Sequence, residues 1–256
     1  MKKKAIIELF GLPGSGKTTF RDKLVHQLYL KGLKVYSQDE FSVLAKERYF
    51  ESSSRLKKYI SKVAFKFEKR RILEIFKHTH TQCVDFIHEA LRGLKKSDRK
   101  VLRNYLYKTM IQVQLFDFYG LENEIMVIDE GMVHRAHSIY GYERNLNLDT
   151  EMIIEYLKVV PHLNTVIYVQ VDREVAKKRV LNRALPNRMQ TFSANNIEHF
   201  FSLNKRIVDV IDEYFKTHSN KYFIINNNSN SVSELDLNMK HLVNEIHSIL
   251  LFERSQ

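Results

Sequence analysis

A run of nine residues near the start limits this chain more than any other feature. Gly11-Leu12-Pro13-Gly14-Ser15-Gly16-Lys17-Thr18-Thr19 satisfies the spacing G-x-x-x-x-G-K-[ST]. It follows an apolar, β-branched run from Ala5 to Phe10 and opens a helical pattern from Lys17 to Lys31, which Gly32 stops. Strand, glycine loop and helix in that order make an anion cradle. The glycines let backbone N–H groups turn inward on phosphate oxygens, and the helix start adds positive potential. Lys17 is then placed to reach the β- and γ-phosphates, and the Thr18 hydroxyl to ligate Mg²⁺. Gly11, Pro13, Gly14, Ser15, Gly16, Lys17, Thr18 and Thr19 are the candidate residues for binding ATP with Mg²⁺.

The rest of the chain repeats the rhythm. Ile125 to Asp129, Thr165 to Val171 and Tyr222 to Asn226 read as buried strands, and Lys34 to Ser37 as a weaker one. Helical patterns run over Arg173 to Ala184, Asn195 to Lys216 and Ser233 to Leu251. Strands alternating with helices mean a parallel sheet covered on both faces. Residues 42–118 depart from this rhythm: they hold no proline and one glycine, Gly93, and read as three or four helices. Val63 and Phe67, then Ile72, Ile75 and Phe76, recur there at helical spacing. No linker marks the edges of this stretch, so residues 1–256 are expected to form a single domain with 42–118 as a basic helical insertion.

Composition narrows the class further. Hydrophobic residues make up 44% and charged residues 28% of the 256, which suits a globular chain. The single cysteine, Cys83, excludes a disulfide scaffold. No apolar run reaches the ~18 residues of a membrane span, and the apolar stretch after Lys4 is too short for a signal-peptide core. The expected location is the cytoplasm. Of the net charge of +11, residues 42–118 carry +10, from 18 basic and 8 acidic residues. Such a segment is either a solvated helical face or a surface for nucleic acid, an anionic membrane or a phosphorylated ligand.

A phosphate loop calls for an acidic metal-site residue at the end of a neighbouring strand, and Asp129 meets that need. Glu130 follows directly, where it either orients an attacking water or faces a phosphoryl acceptor. Asp39 and Glu40 end the weaker strand. They either contact the acceptor, as a base for its hydroxyl, or serve the start of the next helix, with Asp39 as its cap. Asp172 is expected to cap the helix after the fourth strand. Arg179 and Arg183 fall on one face of that helix, and Arg188 lies beyond Pro186 in a loop. Mobile arginines of this kind gather charge around a migrating phosphoryl group.

The order of these motifs resembles the P-loop kinases of the nucleoside and nucleotide kinase superfamily, thymidylate kinases above all. The resemblance rests on GLPGSGKTTF at 11–20, VIDEGMVHRAHSIYG at 127–141, VQVDREVAKKRVLNRALPNR at 169–188, and the ending around Phe200 to Tyr214, YFIIN at 222–226 and Ser231 to Leu251. It implies an α/β P-loop NTPase fold, a three-layer α/β/α sandwich. Its five-stranded parallel sheet would have the order 2-3-1-4-5, with a helical insertion between strands 2 and 3. It also implies ATP·Mg²⁺ as donor, an arginine lid, and roles for Lys17, Thr18, Asp129, Arg183 and Arg188. The acceptor half departs from that family. Glu130 stands where thymidylate kinases have arginine, and Ser37-Gln38-Asp39-Glu40-Phe41 replaces their turn after strand two.

The leading expectation is a kinase that transfers the γ-phosphoryl group to a small molecule. Lys17, Arg183 and Arg188 would offset charge, and Arg179 would help hold the nucleotide. If the acceptor is itself a phosphate, Arg48, Arg55, Arg70 and Arg71 are candidate cations. Two rivals remain: an ATPase or nucleic-acid-binding module in which Glu130 positions water, and a kinase of a lipid-linked or polymer acceptor. His134 and His137, three apart, either touch substrate or pack locally. His78, His80, Cys83 and His88 lack the convergence of a zinc site, and Cys83 reads as structural.

Overall fold

The computed structural model describes residues 4–51, 61–141, 149–161, 165–183, 192–219, 221–228 and 232–255. In β1 (Ala5–Phe10), Ile7 and Leu9 face one side and Glu8 and Phe10 the other, and all four are buried. A strand buried on both faces lies inside a sheet. β1 pairs in parallel with β3 (Glu124–Ile128) on one side and β4 (Thr165–Gln170) on the other. β2 (Lys34–Ser37) and β5 (Tyr222–Asn226) complete the order β2-β3-β1-β4-β5. This is the parallel 2-3-1-4-5 order that the resemblance implies. Each strand was legible as an apolar run, with ends shifted by a residue or so.

Helices α1 (Lys17–Leu30), which follows β1, and α10 (Val232–Ser255), at the end of the chain, cover one face. Phe20, Leu24 and Leu28 meet Met239, Leu242, Val243 and Ile246 over Ile7, Leu9, Ile125 and Val127. The other face is larger. Between β2 and β3 stand α2 (Gln38–Glu51), α3 (Ser61–Thr79), α4 (Thr81–Arg92) and α5 (Lys96–Tyr119). After β3 come α6 (Arg135–Tyr140) and α7 (Thr150–Val159), and α8 (Arg173–Leu181) and α9 (Ala194–His218) lie between β4 and β5. Phe41, Leu106, Met110 and Phe116 of the inserted helices share one core cluster with Phe10, Met126 and Ile128 of the sheet.

Two local readings need correction. The insertion starts at Gln38, not 42, because β2 turns straight into α2. Glu40 accepts from the Ser37 N–H at 2.7 Å, while the Glu40 N–H donates to Ser37 Oγ at 3.3 Å. That reciprocal pair is a capping box, so Ser37 caps the helix and Asp39 does not. In α3, Val63 and Phe67 are exposed, whereas Phe65, Glu68, Ile72 and Phe76 face inward. The inward stripe contains a carboxylate, which disguises it as a polar face. Glu68 is acceptable there because the Tyr119 hydroxyl donates to it at 2.6 Å and Arg71 Nε at 2.9 Å.

The basic surplus is also partly spent on structure. Arg48 forms a fork onto Glu124 at 2.7 and 2.6 Å and donates to the Tyr119 carbonyl at 2.7 Å. The Glu124 side chain is 1% exposed, so its charge has little water to fall back on. Breaking such a buried pair from one side leaves an uncompensated ion. Arg48→Met should therefore lose roughly 3–5 kcal/mol in urea unfolding. A loss below about 1 kcal/mol would mean that the pair acts like an exposed one.

Candidate active site

The register that sets Glu8 of β1 against Ile128 of β3 brings the loop after β1 beside the acids that end β3. In that loop Gly11, Gly14 and Gly16 all have positive φ. At Gly14 (φ +85°) a Cβ would stand 2.4 Å from the Ala176 carbonyl of α8, so the loop passes too close to that helix for any side chain. Ser15 is buried beneath the loop, and its carbonyl accepts from Asn227 Nδ2 at 2.7 Å. Helix α1 begins at Gly16 with no side-chain cap and no acidic residue in its first turn. Its leading N–H groups therefore have no side-chain acceptor, the condition for taking an anion.

Lys17 is buried, and its Nζ donates to the carbonyls of Gly11 and Leu12, each at 3.0 Å. Its amine is lowered to about 8, by burial above all and by nearby Arg183, against the upward pull of Glu130 and Asp129. Thr18 Oγ1 donates to Asp129 Oδ2 at 2.7 Å. Arg21, one turn further along α1, reaches the same oxygen at 3.2 Å. It also pairs with Asp22 at 2.8 Å and approaches Asp39 at 3.7 Å. The sequence reading missed Arg21, although a basic residue four positions after Lys17 shares its helical face.

Around these groups opens a cleft of about 900 Å³. Pro13, Gly14, Gly16, Lys17, Thr18 and Thr19 form its loop side, and Arg179, Arg183, Asp129 and Glu130 also line it. Its far side comes from α5, α6 and α9: Val101, Leu102 and Tyr105, then His134, Arg135, His137 and Ser138, then Asn204. His137 Nδ1 lies 2.8 Å from Asn204 Oδ1, and the rings of His134 and His137 are 4.8 Å apart. Asn204 lies inside the Phe200 to Tyr214 stretch but was not singled out there, since its role comes from the histidine it meets.

The remaining expected residues fall elsewhere. Asp39 is exposed beside Arg21, and Glu40 lines a separate groove of about 870 Å³ between α1 and β2. Helix α8 ends at Leu181, short of the expected Ala184, so Arg183 stands past the helix rather than on its face. Arg188 and Arg55 lie outside the described residues. Arg48 and Arg71 are turned to Glu124 and Glu68, and Arg70 is exposed over the Phe67 ring, away from this cleft. Asp172 occupies the cap position of α8 without a side-chain capping bond. Cys83 is buried, which pushes its thiol up to about 12. Among the described residues, no group of three or more metal-ligating side chains forms, and no helix is long and apolar enough to cross a membrane.

The loop carrying Asp129 and Glu130 rests on Glu8. This carboxylate is fully buried in mid-strand and accepts from the His134 N–H at 2.7 Å, and a Cβ on Gly131 would stand 2.3 Å from it. With glycine at 131 the turn lies directly against that carboxylate, and a side chain there would have to displace it.

No family model matches the chain, and no curated protein matches it. Several solved structures overlap it. A deoxyadenosine kinase from M. mycoides, with products dCMP and a flexible dCDP bound, is 16% identical, with 95% of this chain and 99% of that one covered and a TM-score of 0.49. A thymidylate kinase from Ehrlichia chaffeensis is 12% identical, at 95% and 98% coverage and a TM-score of 0.44. A shikimate kinase from Bacteroides thetaiotaomicron is 13% identical, at 95% and 98% and a TM-score of 0.40. Overlaps this loose carry no argument about the site.

Burial pushes the Glu8 carboxyl up to about 8, against the pull of the backbone N–H groups around it and the charge of Arg135. An unfolded glutamate titrates near ~4.3. Between those values the folded chain holds one more proton, so this group makes stability fall as pH rises from about 4.5 to about 8. Glu8→Gln keeps a neutral carbonyl for His134 and should flatten that slope, as read from urea midpoints between roughly pH 5 and 9. Parallel slopes in the two proteins would show that Glu8 is ionised throughout.

Proposed function

We propose that the chain is a P-loop phosphotransferase that moves the γ-phosphoryl group of ATP to a small-molecule acceptor. One observation supports this most. The phosphate loop, the Asp129–Glu130 pair and the Arg179/Arg183 end of α8 line the same cleft as residues of α5, α6 and α9. A donor and an acceptor held there would meet without crossing solvent, which is what transfer to something other than water requires.

The donor half fits a nucleoside triphosphate with Mg²⁺. Backbone N–H groups of the loop and the start of α1 would take the phosphate oxygens. Lys17, already aimed by two carbonyls, would neutralise the β- and γ-phosphates. Thr18 and Asp129 would hold Mg²⁺, which would supply positive charge to offset that of the phosphates. Arg179 and Arg183 line the cleft where charge builds on the migrating group. Arg21 keeps the Asp129 carboxylate fixed, so the site spends little on reorganising.

The test is ADP release from ATP·Mg²⁺ by purified protein, alone and with nucleosides, nucleoside monophosphates, sugars and single-stranded polynucleotides. Stimulation by one small-molecule class is expected, and Lys17→Ala should reduce it by roughly 10²–10³-fold. Steady release without any acceptor, or stimulation by polynucleotide with no phosphorylated product, would make the protein an ATPase instead. Co-flotation with anionic vesicles would favour an acceptor at a membrane surface.

A further inference from the structure

Resting on the phosphotransferase reading, we infer that Asn227 and Asn228, just past the end of β5, are positioning residues that hold the phosphate loop and the arginine-bearing helix α8 in one mutual placement. The turn that carries them is itself anchored. The Asn227 N–H donates to the Gln170 carbonyl of β4 at 2.8 Å, and the Asn228 N–H donates to Asn226 Oδ1 at 2.9 Å. An asparagine that bonds the backbone two residues on fixes a turn of this kind. From the anchored turn two side chains reach two other segments. Asn227 Nδ2 donates to the Ser15 carbonyl of the loop at 2.7 Å, across 212 residues of sequence. Asn228 Oδ1 accepts from the Asp172 N–H at 2.6 Å, where α8 starts.

The Ser15 bond decides which way the loop donates. In a planar trans peptide the carbonyl and the N–H point in opposite directions. With the Ser15 carbonyl turned to Asn227, the Gly16 N–H of the same peptide unit points away from it. That N–H stands at the start of α1, where phosphate is to be taken. The fit is close, since a Cβ on Gly16 would stand 2.7 Å from Asn227 Nδ2. The Asp172 bond fixes the other partner. Asp172 makes no side-chain capping bond to α8. Its carbonyl opens the helix by accepting from the Ala176 N–H at 2.9 Å, while its own N–H goes to Asn228. Further along the same helix, the Ala176 carbonyl and Val180 Cγ2 would stand 2.4 and 2.8 Å from a Cβ on Gly14. Loop and helix thus touch at Gly14 and are tied to one strand end at Ser15 and Asp172.

Neither asparagine lines the cleft, so each acts on phosphate through the segment it holds. Transfer needs the loop amides and the arginines on one phosphate chain, and a misplacement of about 1 Å can cost on the order of a hundredfold in rate. The two bonds have separable consequences. Loss of the Asn227 donor frees the peptide whose N–H meets the phosphates, so triphosphate affinity falls. Loss of the Asn228 acceptor frees α8 at its start, so Arg179 and Arg183 lose their placement where charge builds on the migrating group. A nucleotide without β- and γ-phosphates is insensitive to both changes.

The test uses the full chain, with calorimetric affinities for the β,γ-imido analogue of ATP and for AMP in Mg²⁺, and ADP release from ATP·Mg²⁺ with the same panel of acceptors. Asn227→Leu, close in shape but without the donor, should weaken the analogue roughly 5–100-fold and leave AMP near wild type. Asn228→Ala should lower kcat roughly 5–100-fold, and Asn228→Asp, which keeps an accepting oxygen, should restore most of it. Arg183→Ala should cost less in the Asn228→Ala background than in wild type, because the arginine is already displaced there. An unchanged ratio of analogue to AMP affinity in Asn227→Leu, or an undiminished Arg183→Ala effect in Asn228→Ala, would overturn the inference and leave the phosphotransferase reading standing. So would the loss of a cooperative thermal transition in either variant, which would make the asparagines supports of the fold alone. Failure of the wild type to bind the analogue, or to release ADP with any acceptor, would overturn that reading and this inference with it.

Discussion

The hydrogen bond from Thr18 to Asp129, 2.7 Å long across 111 residues of sequence, is the contact on which the rest of the site depends. It exists because β1 lies beside β3 in parallel register, so that the loop leaving one strand meets the acid ending the other. Neither group finds the other through local structure. The apolar runs of the two strands, buried on both faces, bring them together, and the glycine loop allows the approach. Arg21 completes the junction with a fixed positive charge between Asp129, Asp39 and Asp22. Acids from three segments can then lie close together without mutual repulsion deciding their positions.

A second constraint lies beneath this one. Glu8 puts a carboxyl group into the middle of a core strand, which burial alone would make costly. Its function in the fold is visible in what it meets: the His134 N–H and the close face of Gly131. The turn that follows Asp129 and Glu130 is thus supported from below by β1. The same turn leads into Arg135, which reaches back to Glu130. Asp129, Glu130, His134 and Arg135 of the cleft lining are one continuous piece of chain, fixed at Glu8 and again at Thr109.

What was legible in the sequence follows from range. The phosphate loop, the strands and the alternation of strand and helix are local patterns, and they stand where periodicity placed them. The inward face of α3 was not legible because Glu68 occupies a core position, satisfied by Tyr119 from fifty-one residues away. Asp39 and Glu40 read equally well as catalytic acids or as the acidic start of a helix. The capping box decides what Glu40 does locally, and only the fold shows that Ser37 is its partner. Thr109, Asn204 and Arg21 left no motif, since their meaning comes from neighbours on other elements. Charge counting over 42–118 measured a real surplus, but it could not separate Arg48, engaged inside the molecule, from cations free to meet a ligand.

The most direct test of the account is the affinity for the β,γ-imido analogue of ATP, measured calorimetrically against AMP, with and without Mg²⁺, in wild type and Asp129→Asn. If the loop and Asp129 form a triphosphate–metal site, the analogue binds wild type roughly a hundredfold tighter than AMP, the size of one or two charge-assisted hydrogen bonds. Mg²⁺ then tightens that binding in wild type and does so far less in Asp129→Asn. Equal affinities for the analogue and AMP, with no response to Mg²⁺, would contradict the account at its base.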